Sequence, residues 1–225
     1  MSRSMPVLRN PSTWRWGLSV ALLWASSVAS AAESTLDART LLSQVARTPP
    51  ATIRYTEARF SRLLTSPLVV SGTLSYLGPR KFDRTVESPY REEATIRDGE
   101  VVVVRADQAP NRFPLKRAPA LAGMLDSFGA LLSGDADQLS RGFDVSLSGE
   151  QKAWRIELVP RSQAIAKWLS GIVIDGADDV PRCITLTEPD GDRGVMLLGD
   201  LADQPLPAPL DAASLESRCT ARGRN

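Results

Sequence analysis

Val70-Ser71-Gly72-Thr73-Leu74-Ser75-Tyr76-Leu77-Gly78-Pro79-Arg80-Lys81-Phe82 sets Val70, Gly72, Leu74 and Tyr76 against hydroxyl-bearing Ser71, Thr73 and Ser75. A period of two reads as a strand with one dry face and one wet one. Gly78-Pro79 breaks the run and turns the chain into a second strand over 81–86. Upstream, 53–64 reads as a long strand whose apolar parity shifts between Tyr55 and Phe60, which predicts a bulge. Downstream, Asp98-Gly99 sits between strand patterns at 92–96 and 100–105. That dipeptide tolerates the left-handed backbone of a two-residue hairpin turn. Val101 to Val104 is apolar on both faces, predicting a strand covered on both sides.

The period then changes. Pro119 suits a first helical position, Leu121, Met124, Leu125, Phe128, Leu131 and Leu132 form one stripe, and Gly134 can cap the end. Asp126 and Ser127 fall opposite the stripe. A short helical piece follows around Leu139. Strands resume at 143–147 and 154–159, where Trp154, Ile156 and Leu158 alternate with Arg155 and Glu157. A linker or short helix at 162–169 leads to strands at 171–174, 182–187 and 194–201, and Asp190-Gly191-Asp192 turns between the last two. At the other end, 34–46 reads as a helix with Ser34 as N-cap, closed by Pro49-Pro50. Helix, five or six strands, a helical insertion and five more strands define an α+β fold on an antiparallel sheet. A curved sheet with one amphipathic helix across its mouth encloses apolar space.

Composition excludes several chemistries. The chain has no His, which removes Ser-His-Asp and Cys-His catalysis, His-ligated zinc and the commonest neutral-pH base. Residues 1–31 read as a cleavable signal peptide. Arg3, Arg9 and Arg15 precede an apolar run too short to span a bilayer, and Ala29-Ser30-Ala31 follows. Its removal takes three basic residues of 27 and none of the 26 acidic ones, leaving a formal charge of −2. No basic footprint for nucleic acid remains. Cys183 and Cys219 are the only cysteines, and in an oxidising compartment the pair is expected to form a disulfide. Such a bridge, worth ~3–4 kcal/mol in the loop-entropy picture, pins the Pro-rich tail of 204–225 to the body. Asp190-Gly191-Asp192 and Asp175-Gly176-Ala177-Asp178-Asp179 lack calcium-loop spacing and read as turns. Glu57 with Arg59, and Arg91-Glu92-Glu93, bring carboxylates but no second chemical element beside them, so no catalysis is expected.

The quoted stretch resembles the pattern G-x-L-x-x-x-x-P-x-x-F/L of the outer-membrane lipoprotein carrier (LolA) family. Ile96-Arg97-Asp98-Gly99-Glu100-Val101 stands where that family shows V-x-D-G-x-x-L. Leu68 after Pro67, Gly134-Asp135, Trp154 with Leu158 and Pro160, and Glu188-Pro189-Asp190-Gly191-Asp192 are similar to a LolA-related branch of Gram-negative bacteria. The likeness runs over roughly 35–200 and rests on order and spacing together. It implies a LolA-like curved antiparallel half-barrel covered by helices, over 32–203. It further implies a monomeric periplasmic carrier of lipoprotein or other lipid acyl chains, loaded by an inner-membrane transporter and needing no cofactor. The family's Arg before the proline is replaced by Gly78, with Arg80 and Lys81 just beyond, so the family's lid latch is not carried over.

On this reading the ligand-binding residues are Leu74, Tyr76, Phe82, Val101, Val103, Leu121, Met124, Leu125, Phe128, Leu132, Trp154, Ile156 and Leu158, with the 119–133 helix as lid or wall. Taken singly, such residues are more often ordinary core than ligand-facing. What favours a cavity is the excess of apolar faces for one sheet to cover. A lipoprotein, a glycolipid and an aryl-polyene-type lipid all fit. The alternative is a ligand-sensing regulatory module on the same scaffold, which usually adds a second domain; here about 25 residues follow the last strand pattern.

Overall fold

The structure, a computed structural model, describes residues 37–106 and 108–220. The signal peptide expected over 1–31 and the Ser34 cap lie outside them. Helix α1 (Ala38–Val45) precedes strands β1 (Ala51–Phe60), β2 (Leu68–Gly78), β3 (Lys81–Ser88), β4 (Glu92–Arg97), β5 (Glu100–Arg105) and β6 (Asn111–Pro114). Helices α2 (Pro119–Ser133) and α3 (Ala136–Gly142) come next, then β7 (Phe143–Glu150), β8 (Ala153–Pro160) and α4 (Gln163–Ala166). Strands β9 (Gly171–Ala177), β10 (Val180–Thr187), β11 (Arg193–Leu198) and helix α5 (Ala212–Thr220) complete it. All strands join one antiparallel sheet in the order β6-β5-β4-β3-β2-β1-β11-β10-β9-β8-β7. The sheet is curved and does not close, so β6 and β7 are its free edges.

Local chemistry explains the well-read elements. Asp98 (φ 52°) and Gly99 (φ 81°) make the left-handed turn between β4 and β5. Pro119 opens α2, and Gly134, left-handed at φ 73°, closes it. Asp37 caps α1, its carboxylate accepting from the Thr40 amide at 3.0 Å.

Strand β1 departs from expectation. Its register runs unbroken from Ala51↔Tyr76 to Arg59↔Leu68 against β2 and from Tyr55↔Leu198 to Phe60↔Arg193 against β11, without a bulge. The apolar parity shifts because the strand serves two cores. Tyr55 packs on the inner face, while Ala58 and Phe60 pack on the outer one. A register shift does occur at Ser71/Gly72, opposite β3. There the backbones come so close that a Cβ on Gly72 would stand 1.8 Å from the Thr85 carbonyl oxygen.

Three apolar clusters hold the sheet. The largest runs along the inner face from β7 into β1–β3 (Tyr55, Val70, Val86), and at its β8 end α1 (Leu41, Leu42, Val45), Leu139 and Leu169 cover Trp154, Ile156 and Leu158. A smaller inner cluster joins Ile96, Val101 and Leu115 to Leu125 of α2. The third lies outside, where Leu206, Leu210, Leu215 and Cys219 cover Ala58, Val195 and Leu197. The Pro-rich tail is thus a structural cover. The outer face of β5 is only partly covered: Val104 is 41% exposed and Val102 is half-buried, against the expected two-sided burial. Strand β6 pairs with β5 although no separate strand was read at 111–114. The last strand ends at Leu198, and Gly199–Leu201 forms a 3-10 turn instead of continuing to 201.

Cys183 and Cys219 are disulfide-bonded, with Cα atoms 5.5 Å apart at a sequence separation of 36. The bridge ties α5 to β10. Replacing both cysteines by alanine is expected to cost ~4 kcal/mol in urea unfolding, through the entropy returned to the unfolded loop. An unchanged midpoint would show that packing alone holds the tail.

Candidate functional site

Between α2 and the inner face of β1–β6 and β10–β11 lies a cavity of about 570 Å³. Its sheet wall includes Leu74, Tyr76, Phe82, Val101 and Val103, and its helix wall includes Leu121, Met124, Leu125, Phe128 and Leu132. These ten positions from the sequence reading come together. Trp154, Ile156 and Leu158 do not join them. They lie on β8, beyond β9 and β10, fully buried under α1 and its neighbours. Alternation identifies an inward side chain, but not whether a helix or a space faces it. Ile53, Ile184, Leu186 and Met196 also line the cavity, brought there because β1 pairs with β11. The sequence offered for them only the general alternation of their strands.

Helix α2 is a wall backed by other helices. Ser127, read as part of a solvated face, is 1% exposed, and its hydroxyl donates to the Gly123 carbonyl at 2.7 Å. A Cβ on Gly123 would lie 3.0 Å from Ile165, so α4 packs directly on this side. Asp126 remains half-exposed and receives Arg80 Nε at 3.2 Å. The β2–β3 turn therefore touches α2 through a residue two places beyond Gly78. Exposed pairs of this kind contribute little stability.

One end of the cavity is charged. Glu57 is inward because it shares the face of Tyr55, and both its carboxylate oxygens are used. Arg59 Nε donates to one at 2.9 Å and Arg84 Nη2 to the other at 3.0 Å. Glu92 stands directly opposite Arg105 in register and accepts from its Nε, while Arg84 Nη1 reaches Glu92 at 3.5 Å. Arg84 is the hub, and its guanidinium also lies over the Tyr55 ring, 5.1 Å from the centroid. Burial pushes the Tyr55 phenol up to about 12, so it stays a neutral donor at physiological pH, and among the described residues its hydroxyl has no hydrogen-bond partner. In the sequence, Glu57 with Arg59 and Arg91-Glu92-Glu93 have no second chemical element beside them; the register brings Arg84 and Arg105 to Glu57 and Glu92.

Part of the inner sheet face is packed under helices and part stands off from α2 around an apolar hollow with a charged rim; the architecture is an open half-barrel covered by helices. The family model described as "Outer membrane lipoprotein carrier protein LolA-like" matches residues 29–221, and the chain belongs to that family. No curated protein matches the sequence. Among solved structures, it is similar to a LolA superfamily protein of Nitrosomonas europaea, with TM-score 0.41 and 9% identity over 78% of this chain and 97% of that one. A chain of the Pseudomonas aeruginosa MucA/MucB complex gives TM-score 0.39 and 16% identity over 80% of this chain and 62% of that one. A putative outer membrane lipoprotein-sorting protein domain of Vibrio parahaemolyticus gives TM-score 0.29 and 11% identity over 82% and 100%. All three scores lie below 0.5, and the family assignment rests on the family model. Among the described residues, no helix is long and apolar enough to cross a membrane.

Proposed function

We propose that this protein is a periplasmic carrier that takes acyl chains of lipoproteins or other lipids into the α2 cavity and delivers them toward the outer membrane. It is a binding protein and not an enzyme on this reading. The observation that supports it is the cavity itself, with two facing walls of aliphatic and aromatic side chains. Each methylene moved from water into such a space gains ~0.8 kcal/mol, about what it gains in a bilayer. Exchange with a membrane is then close to balanced, and small affinity differences between donor, carrier and acceptor set its direction. An inner-membrane transporter as donor, a cleaved signal over 1–31 and a monomeric carrier belong to the same proposal.

The test is native mass spectrometry of protein purified from periplasm, followed by lipid extraction. Lipid is expected on the wild type and absent from Phe128→Asp. Phe128 is only half-buried, so a carboxylate there is tolerated by the fold better than at fully buried Leu125. A lipid-free wild type, or full lipid on a folded Phe128→Asp protein, would overturn the reading.

A further inference from the structure

The charged rim sets three guanidiniums against two hydrogen-bonded carboxylates, with Glu188 also within electrostatic reach of Arg59. Three guanidiniums, of Arg59, Arg84 and Arg105, share two carboxylates, of Glu57 and Glu92. Arg84 uses both Nη groups on the glutamates. Arg59 and Arg105 each engage through Nε, and among the described residues their terminal Nη pairs make no hydrogen bond. Their side chains remain 58% and 52% exposed. A free Nη pair on a guanidinium already oriented through Nε is the donor fork that a phosphate or carboxylate accepts from.

The surroundings continue the pattern. Arg105 and Tyr90 line the cavity and also a second hollow of about 380 Å³, together with Arg91 and Gln108. Behind the rim, the buried Tyr55 hydroxyl has no hydrogen-bond partner among the described residues, a state that folded proteins seldom leave uncompensated. Inward of the rim the walls are apolar. At ~30 Å³ for a water-sized group, 570 Å³ has room for on the order of twenty methylene-sized groups, which is one acyl chain.

We propose that the rim of Arg59, Arg84 and Arg105 is a head-group subsite, and that the cavity takes an acidic amphiphile: one acyl chain ended by a phosphate or carboxylate. The chain lies under α2 and the anionic head sits between the arginines, opening into the Arg91 hollow. This rests on the carrier reading and narrows its ligand class.

The test measures displacement of a neutral apolar fluorophore, N-phenyl-1-naphthylamine, from the mature protein by dodecyl phosphate, dodecanol and inorganic phosphate. Dodecyl phosphate is expected to compete about tenfold better than dodecanol or more, from one charge-assisted contact. Inorganic phosphate, lacking a chain, is expected neither to displace the fluorophore nor to compete with dodecyl phosphate at millimolar concentration. In the Arg59→Gln/Arg105→Gln double variant the preference falls toward unity. Arg39→Gln removes one positive charge on α1, where Arg39 pairs with Asp137, and leaves the preference intact. Equal competition by the two amphiphiles overturns the subsite but leaves the carrier standing, as does a preference that survives in the double variant. Inorganic phosphate matching dodecyl phosphate makes it a free-anion site and overturns the proposal. A wild type that binds neither fluorophore nor amphiphile overturns both readings.

Discussion

Gly72→Ala is expected to leave the protein unfolded or to remove about 4–5 kcal/mol, the range of the most severe single substitutions. The added Cβ would meet the Thr85 carbonyl oxygen at 1.8 Å, and that oxygen is backbone, not the yielding end of a side chain. Relief requires β2 and β3 to separate by more than an ångström, breaking the register from Gly72↔Val86 to Tyr76↔Phe82 that carries Leu74, Tyr76 and Phe82 to the cavity. Since small domains have only ~5–15 kcal/mol in hand, the loss shows as failed expression or a collapsed urea midpoint. A variant that unfolds within about 1 kcal/mol of the wild type would refute the close approach.

Arg84→Met is expected to cost about 3 kcal/mol, the low end of the ~3–5 kcal/mol for breaking a buried ion pair from one side. Glu57 and Glu92 are almost entirely buried, and each loses one of two cationic partners. The figure sits at the low end because Arg59 and Arg105 still hold one oxygen of each. Adding Glu57→Gln to Arg84→Met should return part of the loss, since one buried charge then needs no counter-charge. Denaturant midpoints of the wild type, single and double variants decide this. Full stability of Arg84→Met would mean that water, not the guanidinium, solvates the two carboxylates.

Much of the architecture is legible in the sequence, for local reasons. The 70–76 alternation, the Asp98-Gly99 turn and the Pro119-to-Gly134 helix each depend on side-chain period or backbone tolerance within a few residues. The features that escape depend on partners distant in the chain. Ala58 and Phe60 look out of phase until α5 and residues 206–210 are seen behind the sheet. Trp154, Ile156 and Leu158 have the same alternation as Leu74 and Tyr76, yet they sit across the sheet, where α1 and α3 leave no gap. Glu57, Arg84, Glu92 and Arg105 are unremarkable strand charges until register sets them in one chain of ion pairs.

The disulfide and the tail thicken the sheet behind β1, β10 and β11, whereas Val104 on the outer face of β5 is 41% exposed. The molecule thus resembles a hinged leaf clamped along one side. On the carrier reading, the strands that face α2 across the hollow without that cover are the side expected to yield to a guest of variable girth, while the stapled half keeps its shape.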